Sequence, residues 1–156
     1  MCENLFIIMK ANKIKTIAIP FDGSIHSKHA FDMALSLAQK YHSKLILVTC
    51  VEKINGSWYG KEFTPTYNQD VKKYKEKILR ETSKLEQISK KKNIKTITKI
   101  FVSDSIVEQI LSFSKSSKVD MIVIGSHGRT GIDKLILGSV VNGVVQRSKI
   151  PVLVVQ

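Results

Sequence analysis

Four positions near the end of the chain have the types and spacing to handle phosphate. They are Gly125, Gly128, Gly138 and Ser139, in the stretch GSHGRTGIDKLILGS (125–139). The apolar run Met121-Ile122-Val123-Ile124 leads straight into them. Unpaired N–H groups at a helix start bind anions, and glycine lets a ligand approach bare main chain. A strand ending at Gly125 and a helix starting at Gly138-Ser139 would supply such donors, with the Ser139 hydroxyl adding another. The plain alternative is a strand-to-helix connection with turn glycines, which spacing alone does not exclude. Two other phosphate schemes are absent. No segment reads G-x-x-x-x-G-K-[ST], and the first strand ends in PFDGS rather than G-x-G-x-x-G.

A second chemical position is Asp22, in that PFDGS. Its carboxylate can accept hydrogen bonds from an amino group or a ribose hydroxyl, and would repel bare phosphate. It can equally shape a D-G-S turn. His127 lies inside the glycine loop, with no nucleophile–base–orienter set around it, and reads as a loop-shaping residue. Arg129 and Lys134 can neutralise phosphate charge or simply face solvent. His26 and His29 have a metal-like spacing of three, but no second pair completes a site. A Mg²⁺ ion would therefore ride on a ligand's phosphates. Cys50 reads as a packing residue at a strand end. The cysteines Cys2 and Cys50 have no paired spacing, so neither a disulfide nor a zinc site is expected, and a reducing cytoplasm fits.

The elements that must position these residues follow from periodicity. KTIAIPF (15–21) and KLILVTCV (44–51) are continuous apolar strands of the kind buried on both faces of a parallel sheet. Between them, residues 25–41 carry apolar groups at helical spacing. Residues 52–68, with Trp58 and Tyr59, read as a long loop. Residues 69–92 form an amphipathic helix with a basic outer face. TITKIFV (96–102) is a more exposed strand, and Ser103 or Asp104 caps the helix after it. VDMIVIG (119–125) is the fourth strand. Ser139 caps a short helix to Arg147, and IPVLVVQ (150–156) is the last strand. This order implies an α/β fold, a parallel sheet with helices on both faces. Ligands of such sheets sit beyond the carboxyl ends of the strands, where the strand order reverses. That rule nominates Pro20, Phe21, Asp22, Gly23 and Ser24, then Cys50 and Val51, then Gly125 onward.

The chain has 156 residues and a formal net charge of +12, the size of one domain and a bias toward acidic partners. Residues 67–93 hold nine Lys/Arg against four Asp/Glu. A solvated helix face is favoured there over a nucleic-acid site, because no aromatic interleaving accompanies the charge. No apolar stretch reaches the roughly 18 residues of a membrane span. Residues 1–12 read as a loose arm, with Met9 an alternative start.

The pattern Gly125-x-x-Gly128, nine residues, then Gly138-Ser139 resembles the nucleotide-binding signature of the universal stress protein family. KIKTIAIPFDGS (13–24), LVTCVE and KIPVLVV resemble that family's first, second and last strands, so the resemblance spans residues 13–156. It implies a Rossmann-like sheet ordered 3-2-1-4-5, a homodimer through the last strand, and membership of the ATP-binding branch. By position, it implies that Asp22 contacts the nucleoside and that backbone at Cys50 or Val51 reads the adenine edge. Ile124 and Gly125 would line the nucleoside, with Ser126, His127 and Arg129 beside them in the loop. Gly128, Gly138, Ser139 and Val140 would hold phosphates. Val141 departs from the many relatives with a hydroxyl or Ala there, which removes one side-chain donor. The implied function is a cytoplasmic stress or signalling module that binds ATP, AMP or another adenine nucleotide without dedicated catalytic residues. A slow ATPase, and an adaptor that binds protein or nucleic acid through helix 69–92, are the alternatives.

Overall fold

The computed structural model describes residues 14–52, 65–128 and 137–156. The elements are β1 (Thr16–Pro20), α1 (Ile25–Tyr41), β2 (Lys44–Glu52), α2 (Pro65–Lys91), β3 (Thr96–Ser103), α3 (Ile106–Ser116), β4 (Met121–Gly125), α4 (Ser139–Arg147) and β5 (Val152–Val155). The strands are parallel and ordered β3-β2-β1-β4-β5. The chain thus winds outward from β1 in both directions, and the order reverses between β1 and β4.

The apolar strands dictate two cores, because successive side chains of a strand point to opposite faces. Ile17, Ile19, Leu45, Leu47 and Val123 pack with Phe31, Ala34 and Ile78 under α1 and α2. Ala18, Ile46, Val48, Ile122 and Ile124 pack with Ile110, Val141 and Val144 under α3 and α4. β1 has a neighbour on each side and helices over both faces, so Ile17, Ala18 and Ile19 are fully buried. β3 is an outer strand with alternating exposure, as its mixed composition predicts.

Three local expectations are corrected. The helix expected from residue 69 begins at Pro65, so the end of the expected loop is its first turn. Proline fits there, since a first-turn residue needs no N–H for the helix ladder. Residues 53–64, including Trp58 and Tyr59, lie outside the described residues, as do residues 1–13. The cap of α3 is Ser105, not Ser103 or Asp104: Ser105 Oγ accepts the Glu108 N–H at 3.4 Å. Ser103 instead accepts the Ser105 N–H and shapes the approach. Losing the cap in Ser105→Ala is expected to cost about 1 kcal/mol in urea unfolding. Finally, the cap of α4 is Gly138, with Ser139 already inside the helix.

Among the described residues no helix is long and apolar enough to cross a membrane.

Candidate functional site

The end of β1 builds the first wall. Asp22 Oδ1 accepts the Ser24 N–H at 2.9 Å, and Ser24 Oγ caps α1 by accepting the Ser27 N–H at 3.2 Å. The turn thereby fixes the carboxylate and closes the amino end of α1 with a side chain. The other oxygen, Oδ2, lies 3.0 Å from where a Cβ on Gly128 would sit. The structure therefore brings Asp22 against the glycine loop, more than a hundred residues away in sequence. Any side chain at 128 would meet that carboxylate. Phe21 is a core side chain, 2% exposed, whose carbonyl accepts the Thr49 hydroxyl at 2.7 Å. Pro20 ends β1 opposite Val48 and brings no N–H of its own.

The second wall is β2, which runs past β1. Lys44 donates its N–H to Lys15 of β1's approach, and Leu45 donates to Lys95 on the β3 side. In a parallel strand these directions alternate, so even-numbered residues of β2 face β1 and odd-numbered ones face β3. The bond from the Phe21 N–H to the Val48 carbonyl, 2.9 Å, confirms the parity. β1 pairs with β2 only as far as Val48, whereas β3 pairs up to Glu52. Cys50 therefore turns its main-chain N–H and C=O toward the space where β1 has ended. Val51 turns its own toward β3, and its side chain is buried. Of the two residues nominated to read a base edge, Cys50 is the one whose main chain faces that space.

Burial pushes the Cys50 thiol up to about 11. It is therefore neutral near pH 8, and only the thiolate is a strong nucleophile. Alkylation of Cys50 by iodoacetamide at pH 8, followed by mass spectrometry, is expected to run on the order of a hundredfold slower than that of a free cysteine.

The third wall is the glycine loop with α4. Ser126 donates its N–H to Val155 of β5 at 2.7 Å, and its carbonyl accepts the Gly138 N–H at 3.0 Å. That second bond closes the loop and sets the start of α4 beside the end of β4. The first N–H returned into the helix is that of Asn142, to the Gly138 carbonyl at 2.9 Å. The N–H groups of Ser139, Val140 and Val141 thus head the helix, and Gly138 offers no side chain to cap them. α1 and α3 are capped by serines, whereas among the described residues no side chain caps the amino end of α4. Ser139 is exposed there.

Two nominated residues acquire different reasons. A Cβ on Gly125 would lie 2.6 Å from the main-chain carbon and oxygen of His26. This glycine exists so that α1 can press on the end of β4, whereas the sequence suggested ligand access. Val141 is 3% exposed and belongs to the core under α3 and α4. Its side chain faces away from the helix start, so the expected loss of a phosphate-binding hydroxyl is corrected: a hydroxyl there would face apolar neighbours, and only the N–H bears on the site. Ile124 is likewise a core side chain. Arg129 and Lys134 lie outside the described residues.

His127 bonds through Nδ1 to Ser126 Oγ at 3.0 Å, and its ring centroid lies 5.2 Å from that of His26. His26 is a site residue that sequence reasoning missed. The sequence pattern set it beside His29, whose ring stays edge-on at 6.4 Å, and the fold adds His127, closer still. Tyr74 was also missed; its hydroxyl reaches the Asp22 carbonyl at 3.5 Å from α2. Among the described residues no group of three or more His, Cys, Asp or Glu could hold a metal ion. The basic residues of α2 from Lys72 to Lys91 are mostly solvated, though Glu81 pairs with Lys28 of α1 at 3.5 Å.

Comparison with known proteins bears on this geometry. The model of the universal stress protein family matches residues 13–156. Universal stress protein YxiE of Bacillus subtilis is 32% identical over 146 residues, covering 88% of this chain and 96% of the relative. A universal stress protein of Methanocaldococcus jannaschii is 27% identical over 93% of this chain and 84% of its own length. Among solved structures, the protein MJ0577 superposes with a TM-score of 0.78 at 25% identity, covering 92% of this chain and 96% of that one. A universal stress protein solved in complex with cAMP superposes with a TM-score of 0.62 at 26% identity, over 92% and 98% of the two chains. The sheet order and the full-length match agree: this chain belongs to the universal stress protein family.

Proposed function

We propose that this chain binds an adenine nucleotide, ATP in the first instance, and serves as a stress or signalling module without dedicated catalytic residues. The observation that carries the reading is the open amino end of α4. Its leading N–H groups, uncapped by any side chain among the described residues, stand at the strand-order reversal next to Gly128 and Asp22. Such an end carries about half a positive charge and suits a phosphate. A solved structure of the same fold is of a universal stress protein in complex with cAMP, which supports nucleotide binding as the activity.

The residues divide by chemistry. Asp22 accepts from ribose hydroxyls, since a carboxylate would repel phosphate. The main chain of Cys50 offers one donor and one acceptor for the adenine edge. Gly128, Gly138, Ser139 and Val140 receive the phosphates, with Val141 contributing its N–H. Mg²⁺ would be held chiefly by the phosphates themselves. Isothermal titration with ATP is the test. Saturable binding is expected, and no heat at millimolar ATP would overturn the reading. Phosphate release measured against a Gly138→Asp control is expected to show no difference, in keeping with binding rather than turnover.

Among the described residues, the half-buried apolar strand β5 has a strand neighbour only in β4. An edge of this kind invites pairing, and we propose that residues 150–156 join two copies in a homodimer. Light scattering at micromolar concentration is expected to return twice the 17.6 kDa chain mass.

A further inference from the structure

The paired rings of His26 and His127 are not explained by the nucleoside contacts or by the helix start. His26 sits in the first turn of α1, and its main chain presses on Gly125. His127 follows β4, and its Cα lies 3.5 Å from where a Cβ on Gly138 would sit. The two rings, 5.2 Å apart, therefore stand at the mouth of the site, on the side where α4 begins. Histidine is the side chain whose charge ordinarily changes between about pH 5 and 8. Two imidazolium rings this close repel each other, and an anion lying across both relieves the repulsion.

We propose that the His26–His127 pair reads the number of phosphates on the nucleotide, favouring di- and triphosphates over monophosphates increasingly as pH falls below neutral. This rests on the nucleotide-binding reading above and adds specificity and regulation to it. A longer phosphate chain reaches past the helix start to the rings; a monophosphate is satisfied by the helix start alone. Linkage makes the effect reciprocal: a polyphosphate that prefers the charged rings binds better when they are charged, and raises their hold on protons.

Among the described residues, the other charged or titratable groups near the pair are these. On α1, Lys28 is directed to Glu81 of α2, and His29 is a third histidine beside the pair: its ring centroid lies 6.4 Å from that of His26, edge-on, and its Nδ1 bonds the main-chain oxygen of Gln156 after β5. From the β1 turn, the Asp22 carboxylate faces Gly128. The charged residue of α4, Arg147, is at its far end, paired with Glu108 of α3. Arg129 follows the loop in sequence and keeps its charge over the same range.

The test is titration calorimetry with adenosine, AMP, ADP and ATP at pH 6 and pH 8, without added metal, on the wild type and on His26→Gln/His127→Gln. Glutamine retains a hydrogen-bond donor but no titrating charge. In the wild type the ATP-to-AMP affinity ratio is expected to be about tenfold larger at pH 6 than at pH 8, the size of a charge-assisted hydrogen bond. Adenosine binding should be flat with pH. In the double variant the gain at pH 6 is expected to vanish or reverse, because ATP itself loses charge on the acid side. Urea midpoints of both proteins check that the variant is folded, and His26→Gln alone, half-buried in the first turn of α1, is expected to lose part of the gain. A wild type that binds ATP with a ratio independent of pH, or a variant that keeps the gain, would overturn the phosphate-reading role and leave nucleotide binding standing. No nucleotide binding by the wild type would overturn both.

Discussion

Gly138→Asp is expected to make the protein more stable and unable to hold nucleotide. Gly138 has φ −58° and ψ 151°, a backbone any residue can adopt, and an added Cβ would find only ordinary contacts at 3.5 Å. Aspartate at this position accepts from the leading N–H groups of α4 and places its charge on the positive end of the helix. The gain should be about 0.5–1 kcal/mol, read as a higher urea midpoint. The same carboxylate occupies the donors that a phosphate would use and repels it, at an expected cost of a hundredfold or more in ATP affinity. The opposite signs matter. A merely damaged fold would lose stability and binding together. Gly138→Ala supplies the control: it adds a methyl but no acceptor, and should weaken capping slightly while leaving the donors open.

Gly125→Ala is expected to have the largest effect on stability, about 2–3 kcal/mol in urea unfolding. The new Cβ would sit 2.6 Å from the main chain of His26, and main chain cannot rotate aside as a side chain can. The first turn of α1 must withdraw from β4. Ser24 caps that turn and is tied to Asp22, so the carboxylate moves with it. ATP affinity should fall as well, now together with stability. A Gly125→Ala protein as stable as the wild type would show that α1 does not rest on this glycine.

The fold was legible because the strands are near-continuous apolar runs and the helices keep their period. Residues 25–41, 44–51 and 121–125 each say one thing only, and the reversal of strand order at β1 and β4 then locates the site. The rule of strand ends put Asp22 and the glycine loop at one site, and the resemblance gave them their separate roles; the contact of Asp22 with Gly128 is a consequence of the fold. The reasons behind particular residues were less visible. Gly125 looked like ligand access and serves helix packing, because sequence does not say what approaches a bare Cα. Val141 looked like an altered phosphate contact and is core, because one residue along a helix turns a side chain by about 100°. The caps slipped by one or two residues where several serines and a glycine compete, at Ser103–Ser105 and at Gly138-Ser139. The choice of Cys50 over Val51 needed the parity of β2, which only the pairing with β1 and β3 supplies. His26 was hidden because its partner, His127, is about a hundred residues away.

The central claim is that the open amino end of α4 holds the phosphates of an adenine nucleotide. The most direct measurement is the mass of what is released when the purified protein, incubated with ATP and desalted, is denatured. An adenine nucleotide from the wild type, and none from the folded Gly138→Asp protein, is the predicted result. A wild type that carries no nucleotide and shows no binding heat at millimolar ATP, or a Gly138→Asp protein that retains as much as the wild type, would contradict it.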